Sequence, residues 1–228
     1  MRLLLFLLAV LAPAQARAGK LDEVRDAVQG DSDDNDSDDD DDDDDDDLDD
    51  DLDDDTTSTT TLAKGPLDAG FKISAEYAYD VGAVHRPGFA AVLDTSWFIS
   101  LDTSWTFLLE PLPGRIDHLV LGNADLCIRL VAGGWMELRT GIGARLMLDM
   151  GRIDAGFNYT LVMYMFPWKH LVISLDGDLG TLGRAFVSHG RVTLGGRIGV
   201  LEIFAGYDVM LIGDVPFHGP VAGVQVWL

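Results

Sequence analysis

Two neighbouring residues, Ser188 and His189, are the pair in this chain best suited to covalent chemistry. A histidine beside a serine can accept the hydroxyl proton and turn the oxygen into a nucleophile. Such neighbours are common in sequences, however, and a catalytic triad is defined by geometry rather than by sequence spacing. We therefore predict that the protein is not an enzyme and has no catalytic residues, and hydrolysis at this pair is the least favoured alternative.

A run of aspartates offers a different chemistry, the binding of hard cations. Between Asp31 and Asp55 there are 20 aspartates, and carboxylate oxygens are ligands that Ca²⁺ prefers. Asp31, Asp33 and Asn35 have the spacing of the first three ligands of a calcium loop, but Asp36 stands where that loop requires glycine. The tract therefore predicts diffuse binding of divalent cations or of a cationic protein, without a defined metal site and without a cofactor.

The charge outside this tract is nearly balanced. The whole chain has a formal net charge of -23, yet residues 56–228 contain 12 Lys and Arg against 16 Asp and Glu. Because binding to a phosphate backbone requires a basic surface, we exclude a nucleic-acid partner. Cys127 is the only cysteine in the sequence and cannot form an internal disulfide.

Residues 1–18 have the layout of a secretory signal peptide. Arg2 precedes an apolar run from Leu3 to Ala12, and the small-residue motif Ala16-Arg17-Ala18 follows. This order predicts export, with cleavage after Ala18. A transmembrane helix is the alternative, but a helical span needs about 20 apolar residues and this run is about half as long.

Residues 19–66 are predicted to be a disordered linker between the signal peptide and the folded domain. Leu21, Val24 and Val28 fall on one helical face, but a helix this short is unstable by itself. The aspartate tract and the threonines of residues 56–61 have little apolar surface to bury and repel one another strongly. This segment is therefore expected to act as an extended tether.

Residues 67–228 are predicted to form one domain made of strands. In Phe71–Val81 the apolar side chains occupy every second position, and mostly polar ones lie between them. That period of two is typical of a strand with two chemically different faces. Because the same pattern recurs to the C-terminus, we predict an all-β, antiparallel, up-and-down transmembrane β-barrel of about ten strands, with eight as the alternative.

The polar face favours a membrane barrel over a soluble one. Lys72 and Lys169 are the only lysines after Phe71, whereas water-facing surfaces are normally rich in lysine. Charges enclosed in a lumen must be paired, and a nearly continuous apolar face suits lipid. The residues predicted to form the lumen charge network are Glu76, Asp94, Asp125, Arg129, Glu137, Arg139, Arg145, Arg152, Asp154, Asp176, Arg191, Arg197 and Glu202.

Two further patterns favour a membrane barrel. Longer connections, predicted at residues 82–88, 110–117, 181–189 and 212–218, alternate with short ones, as outer loops alternate with periplasmic turns. Aromatic residues favour the headgroup level of a membrane and form girdles at strand ends. The residues predicted to form these girdles are Phe71, Tyr79, Trp97, Trp135, Phe166, Trp168 and Trp227.

On these features, the chain from about Phe71 to Leu228 resembles the broad class of small bacterial outer-membrane β-barrel proteins. Members of that class end in an apolar alternation with a C-terminal aromatic residue, and here the alternation is present but the aromatic residue is the penultimate Trp227. The resemblance implies the bacterial outer membrane as location, lipid and the barrel assembly machinery as partners, and an N-terminal arm in the periplasm.

The function expected from these features is that of a structural or narrow-channel barrel with a charge-paired lumen. The first alternative is a periplasmic binding or tethering module, in which the aspartate arm captures cations or a cationic partner. The second is an outer-membrane barrel hydrolase that acts through His189. Fold class alone does not choose among them.

Overall fold

The computed structural model describes residues 19–30, 70–149 and 151–228. The predicted signal peptide, residues 31–66 of the predicted linker, residues 67–69 of the predicted barrel domain and Met150 lie outside these ranges. The described residues form one helix, α1, and ten strands, β1 to β10. Their bounds are α1 Lys20–Gln29, β1 Gly70–Tyr79, β2 His85–Asp94, β3 Ile99–Leu112, β4 Arg115–Ala132, β5 Met136–Asp149, β6 Arg152–Trp168, β7 Leu171–Leu182, β8 Ala185–Ile198, β9 Leu201–Ile212 and β10 Val215–Trp227.

The ten strands form a closed antiparallel barrel in which sequence neighbours pair. β1 closes the barrel against β10, with Ile73 opposite Val226 and Ala75 opposite Val224. Closure removes the free sheet edges, so the first and last strands satisfy each other's backbone hydrogen bonds. The predicted ten-stranded up-and-down barrel is confirmed, and so is the resemblance to small outer-membrane barrels at the level of the fold.

The alternation of the strands sorts side chains by their chemistry. In β1, Lys72 and Ser74 point inward and are buried, whereas Ile73 points outward and is exposed. Across the ten described strands, the outward positions hold no Asp, Glu, Lys or Arg. Large apolar side chains stand there instead, among them Ile142 and Ile153, which are 58% and 67% exposed. The barrel thus has an apolar outer surface and a polar interior, the inverse of a soluble barrel.

The connections between the strands are short at both ends of the barrel. The predicted alternation of long and short connections is wrong, because the strands continue through the segments that were expected to be loops. Proline, glycine and charged residues at strand ends imitate loop composition. The expected loops at 110–117, 181–189 and 212–218 reduce to turns at 113–114, 183–184 and 213–214, and the expected loop at 82–88 becomes 80–84.

The two ends of the barrel differ in what they carry. Gly70 and Trp227, the first residue of β1 and the last of β10, lie at one end, which we call the terminal end. The opposite end, where β1 connects to β2 and β9 connects to β10, holds α1. We call it the helix end.

α1 occupies the mouth of the barrel at the helix end. Leu21, Val24 and Val28 lie on one face of α1 and are at most 1% exposed. At Gly183, which has a φ of 56°, any side chain would collide with the Val28 carbonyl. The prediction of a disordered linker is therefore wrong for residues 20–29, because the barrel supplies the apolar partner that an isolated short helix lacks. Among the described residues, no helix is long and apolar enough to cross a membrane.

Candidate functional site

The seat of α1 is an apolar ring on the inner wall at the helix end. Except for Val84, which directly precedes β2, its members occupy inward positions of the strands, where the alternation predicted polar side chains. The sequence contains a signal for this ring, because these inward apolar residues lie at one end of the strands that carry them. The ring consists of Val84, Leu108, Leu119, Leu121, Met147, Leu182, Ala185, Val187, Ile212, Val215 and Phe217.

Ionic contacts surround this apolar seat. The ammonium group of Lys20 lies 2.7 Å from an Asp80 carboxylate oxygen and 4.2 Å from the centre of the Phe217 ring. Arg25 donates hydrogen bonds to Asp117, at 2.7 and 3.0 Å, and to Asp149, at 2.7 and 3.1 Å. These carboxylates raise the pKa of Arg25 above its ordinary value. The helix is therefore held by both apolar packing and specific charge pairs.

The centre of the lumen is crossed by an ion-pair network. Arg191 makes a two-pronged contact with Glu76, with N–O distances of 2.6 and 2.8 Å. Its Nε atom also lies 3.1 Å from Asp208, which accepts a hydrogen bond from Arg86 at 2.5 Å. Because Glu76 is on β1 and Arg191 is on β8, the contacts bridge strands that are not neighbours in the sheet.

His189 belongs to this lumen network. Its Nδ1 atom lies 2.7 Å from Asp178 and its Nε2 atom 2.8 Å from Asp208. A carboxylate only accepts hydrogen bonds, so two such partners require N–H on both ring nitrogens. The geometry thus places a positively charged imidazolium between two aspartates.

This use of His189 argues against the hydrolase alternative. Both ring nitrogens are occupied by carboxylates, and none is left to accept a serine proton. Ser188 and His189 are successive residues of β8, so their side chains point to opposite faces of the sheet. Among the described residues, no group of three or more His, Cys, Asp or Glu side chains could hold a metal ion.

A second set of predicted lumen residues meets nearer the terminal end. Arg139 lies 3.2 Å from Glu137 and 3.6 Å from Asp94. Arg129 lies 4.0 Å from the same Asp94 carboxylate. The strand alternation predicted these residues as members of the network but not which of them pair.

The remaining predicted network residues are not brought into ion pairs with one another. They bind neutral groups or lie at the rims of the barrel. Asp125 accepts two hydrogen bonds from Asn158, Arg145 donates to Asn123, and Asp176 accepts from Ser174. Arg152 and Asp154 both bind Gln29 of α1, Arg197 donates to the Gly199 carbonyl, and Glu202 accepts from Trp227 and Gln225.

The girdle prediction does not hold for Phe166 and Trp227. The Trp227 indole N–H donates to Glu202 at 2.8 Å inside the barrel, and Phe166 packs against the Trp227 ring there. Both side chains fall on the inward face, which end position alone does not reveal. The other predicted girdle residues are exposed. Trp97, Trp135, Trp168 and Phe71 lie at the terminal end, and Tyr79 lies at the helix end.

Inward aromatic and basic side chains narrow the lumen near the terminal end. The Lys72 ammonium lies 3.9 Å from the centre of the Tyr164 ring and 4.9 Å from that of Trp227. Five residues that point into the lumen were absent from the predicted network: Lys72, Arg86, Tyr164, Asp178 and Asp208. Their inward position in the strand alternation was the available signal.

The inside of the barrel contains cavities, among them two of about 120 and 70 Å³. At roughly 10–15 Å³ for each enclosed water molecule, spaces of this size hold about ten and about five waters. The larger one is bordered by more acids than bases, with Glu76, Asp102, Asp125, Asp176, Asp178 and Glu202 against Lys72, His189 and Arg191.

Comparison with known proteins finds similar solved structures but no sequence relatives. No protein-family model matches the sequence, and no curated protein matches it. Among solved structures, the chain is similar to the crystal structure of an outer membrane channel from Pseudomonas putida F1. The two share 9% sequence identity with a TM-score of 0.39, and the match covers 75% of this chain and 99% of that one.

Proposed function

We propose that this protein is an exported outer-membrane barrel of the narrow-channel kind, closed by α1 and by its lumen ion pairs. The observation that carries the proposal is the outer face, on which the ten described strands present no Asp, Glu, Lys or Arg. Soluble proteins rarely expose large continuous apolar patches, whereas a barrel in lipid requires this surface. Export through the predicted signal peptide, with cleavage after Ala18, delivers the chain to that membrane.

The lumen supports a closed channel with a preference for cations. The ion pairs of Arg191 cross the lumen, and α1 covers the helix end with buried apolar side chains. The acidic excess around the larger cavity would favour cations along any path that opens. Steady conductance of the purified protein in planar bilayers, without any change to α1, would instead indicate an open pore.

An arginine introduced on the outer face tests the membrane assignment. Ile142 is an outward residue in the middle of β5. Ile142→Arg is expected to lower the free energy of unfolding in lipid vesicles by about 2–4 kcal/mol, because arginine is costly near the bilayer midplane. Ile198→Arg, at the last residue of β8 and thus at the rim, is the matched control and should cost about 0–1 kcal/mol.

Equal effects of the two substitutions would contradict embedding in lipid. Fractionation gives an independent result, because an integral barrel stays with the outer membrane and requires detergent for extraction. If the unmodified protein is instead monomeric in buffer without detergent, the barrel is a soluble one.

The position of α1 revises the expectation of a periplasmic arm. Gly30 lies at the helix end and Gly70 at the terminal end, so residues 31–69 connect opposite ends of the barrel. With the strand termini in the periplasm, as in the class this barrel resembles, docked α1 faces the cell exterior. The aspartates of the connection are not expected to cross hydrocarbon. Labelling of α1 from outside the cell therefore tests whether α1 stays docked once the barrel is embedded.

Cysteine labelling of intact cells measures this arrangement. Asp26→Cys, on the exposed side of α1, is expected to react with a membrane-impermeant maleimide. Lys169→Cys, at a terminal-end connection, should react only after lysis. Cys127 is 1% exposed, so the unmodified protein is the unlabelled control. If Asp26→Cys also reacts only after lysis, α1 is not docked at the exterior end.

A further inference from the structure

A buried carboxylate at the helix end has an incomplete set of partners. Glu110 is 3% exposed and points inward from β3. Its oxygens accept hydrogen bonds from the backbone nitrogens of Gly19, Lys20 and Leu21, each at 3.0 Å. Among the described residues, no side-chain nitrogen of Lys, Arg or His lies within 4.0 Å of this carboxylate.

The nearby cations are already bound elsewhere. The Lys20 ammonium lies 2.7 Å from Asp80, and the Arg25 guanidinium binds Asp117 and Asp149. A buried carboxylate without a cation carries a large desolvation cost, and three amide donors offset only part of it. One further positive charge beside Glu110 would therefore offset the remaining desolvation cost of this carboxylate.

Gly19, one of the three residues whose backbone nitrogens donate to Glu110, directly follows the predicted cleavage motif. Hydrolysis adds one water across the peptide bond between Ala18 and Gly19. It leaves a carboxylate on Ala18 and an ammonium group on Gly19. The Gly19 nitrogen, 3.0 Å from Glu110 Oε1, is then no longer an amide but a cation with three donors.

We propose that Glu110 is the binding site for the α-ammonium group of mature Gly19, so that processing supplies the cation that fastens α1 in the barrel mouth. The proposal rests on the export and cleavage included in the proposed function. A charge-assisted hydrogen bond is about twice as strong as a neutral one. The carboxylate also offsets the unfavourable interaction of a positive amino terminus with the positive end of the helix dipole.

The test combines chain extension with removal of the carboxylate charge. Threonine and glutamine inserted in that order between Ala18 and Gly19 move the mature ammonium away from Glu110 without placing a new Ala-x-Ala motif before Gly19, while the amide donors of Gly19, Lys20 and Leu21 stay. Hydrogen exchange of the α1 amides is compared in the wild type, the extended chain, Glu110→Gln and the combination. Glu23→Gln, at an exposed position of α1, is the matched control.

The extended chain and Glu110→Gln are each expected to lower the protection of α1 by roughly tenfold to a hundredfold, the range for hydrogen bonds to charged groups. The combination should lose no more than Glu110→Gln alone. Full protection of α1 in the extended chain, or additive losses in the combination, would overturn the proposal.

Two measurements keep the result interpretable. N-terminal sequencing of the mature wild-type protein should give Gly19 first, and another first residue would refute the cleavage position and the ammonium site together. Gly19 first, with no coupling between the two changes, would leave the export proposal standing and reject the ammonium site alone. If Glu110→Gln does not fold, slow acylation of the wild-type terminal amine and fast acylation in the extended chain give the same answer, and equal rates reject the site.

Discussion

Arg191→Met is expected to lower the free energy of unfolding by about 3 kcal/mol, the scale for breaking a buried ion pair on one side. The substitution removes the two-pronged contact with Glu76 and the contact with Asp208. Both carboxylates are nearly buried, with at most 11% of either side chain exposed, so water compensates them poorly. Urea unfolding in lipid vesicles, followed by tryptophan fluorescence, measures the change.

Two further variants show whether loss of the Arg191 ion pairs causes the expected loss of stability. Glu76→Gln in the Arg191→Met background should recover part of the lost stability, because it removes the carboxylate that was left without its partner. Arg197→Met removes an arginine that donates to the Gly199 carbonyl at the barrel rim and should cost much less. Similar losses for Arg191→Met and Arg197→Met would mean that the central network contributes little to stability.

Val24→Asp is expected to release α1 from the barrel mouth. Val24 is fully buried in the apolar ring, and an unpaired carboxylate there costs several kcal/mol. Burial of the three apolar side chains of α1 contributes at most about 5–9 kcal/mol, so the helix loses most of what holds it. The amides of residues 20–29 should then exchange as in an unfolded peptide, while the strand amides keep their protection.

The release of α1 in Val24→Asp also tests whether α1 closes the channel. Conductance in planar bilayers is expected to change from silence in the wild type to cation-selective steps in Val24→Asp, since the larger cavity of the lumen is bordered by more acids than bases. Asp26→Asn, on the exposed side of α1, should stay silent. Continued silence of Val24→Asp with exchanging α1 amides would mean that the lumen side chains close the barrel alone and that its role is structural.

The alternation in the sequence predicted the barrel because it depends on local geometry. A strand turns successive side chains to opposite faces, so the period of two in Phe71–Val81 fixed which residues face inward before any pairing was known. Strand count and antiparallel order followed from repetition of that pattern. The expected loops failed because residues such as Pro113 and Gly114 allow either a long loop or a two-residue turn, and strand pairing decides between them.

The partners of the inward residues depend on contacts between distant strands. Glu76 meets Arg191 across a separation of 115 residues, while Arg152 and Asp154, beside each other on one face, bind Gln29 instead. No spacing rule contains this information, because curvature and register of the closed sheet set which inward side chains meet. Trp227 likewise has the position of a girdle residue, and only its inward orientation explains its bond to Glu202.

α1 shows most clearly which features follow from the local sequence and which require the tertiary structure. Its apolar stripe of Leu21, Val24 and Val28 is visible in the sequence, but a helix of ten residues has too few internal hydrogen bonds to be stable alone. Its stability comes from the ring at the helix end, whose residues lie far apart in the chain. The sequence by itself determined the barrel and its two faces, because alternation is local. The tertiary structure decided the ion pairs, the closed mouth and the ordered helix, because each of these needs residues that only the closed barrel brings together.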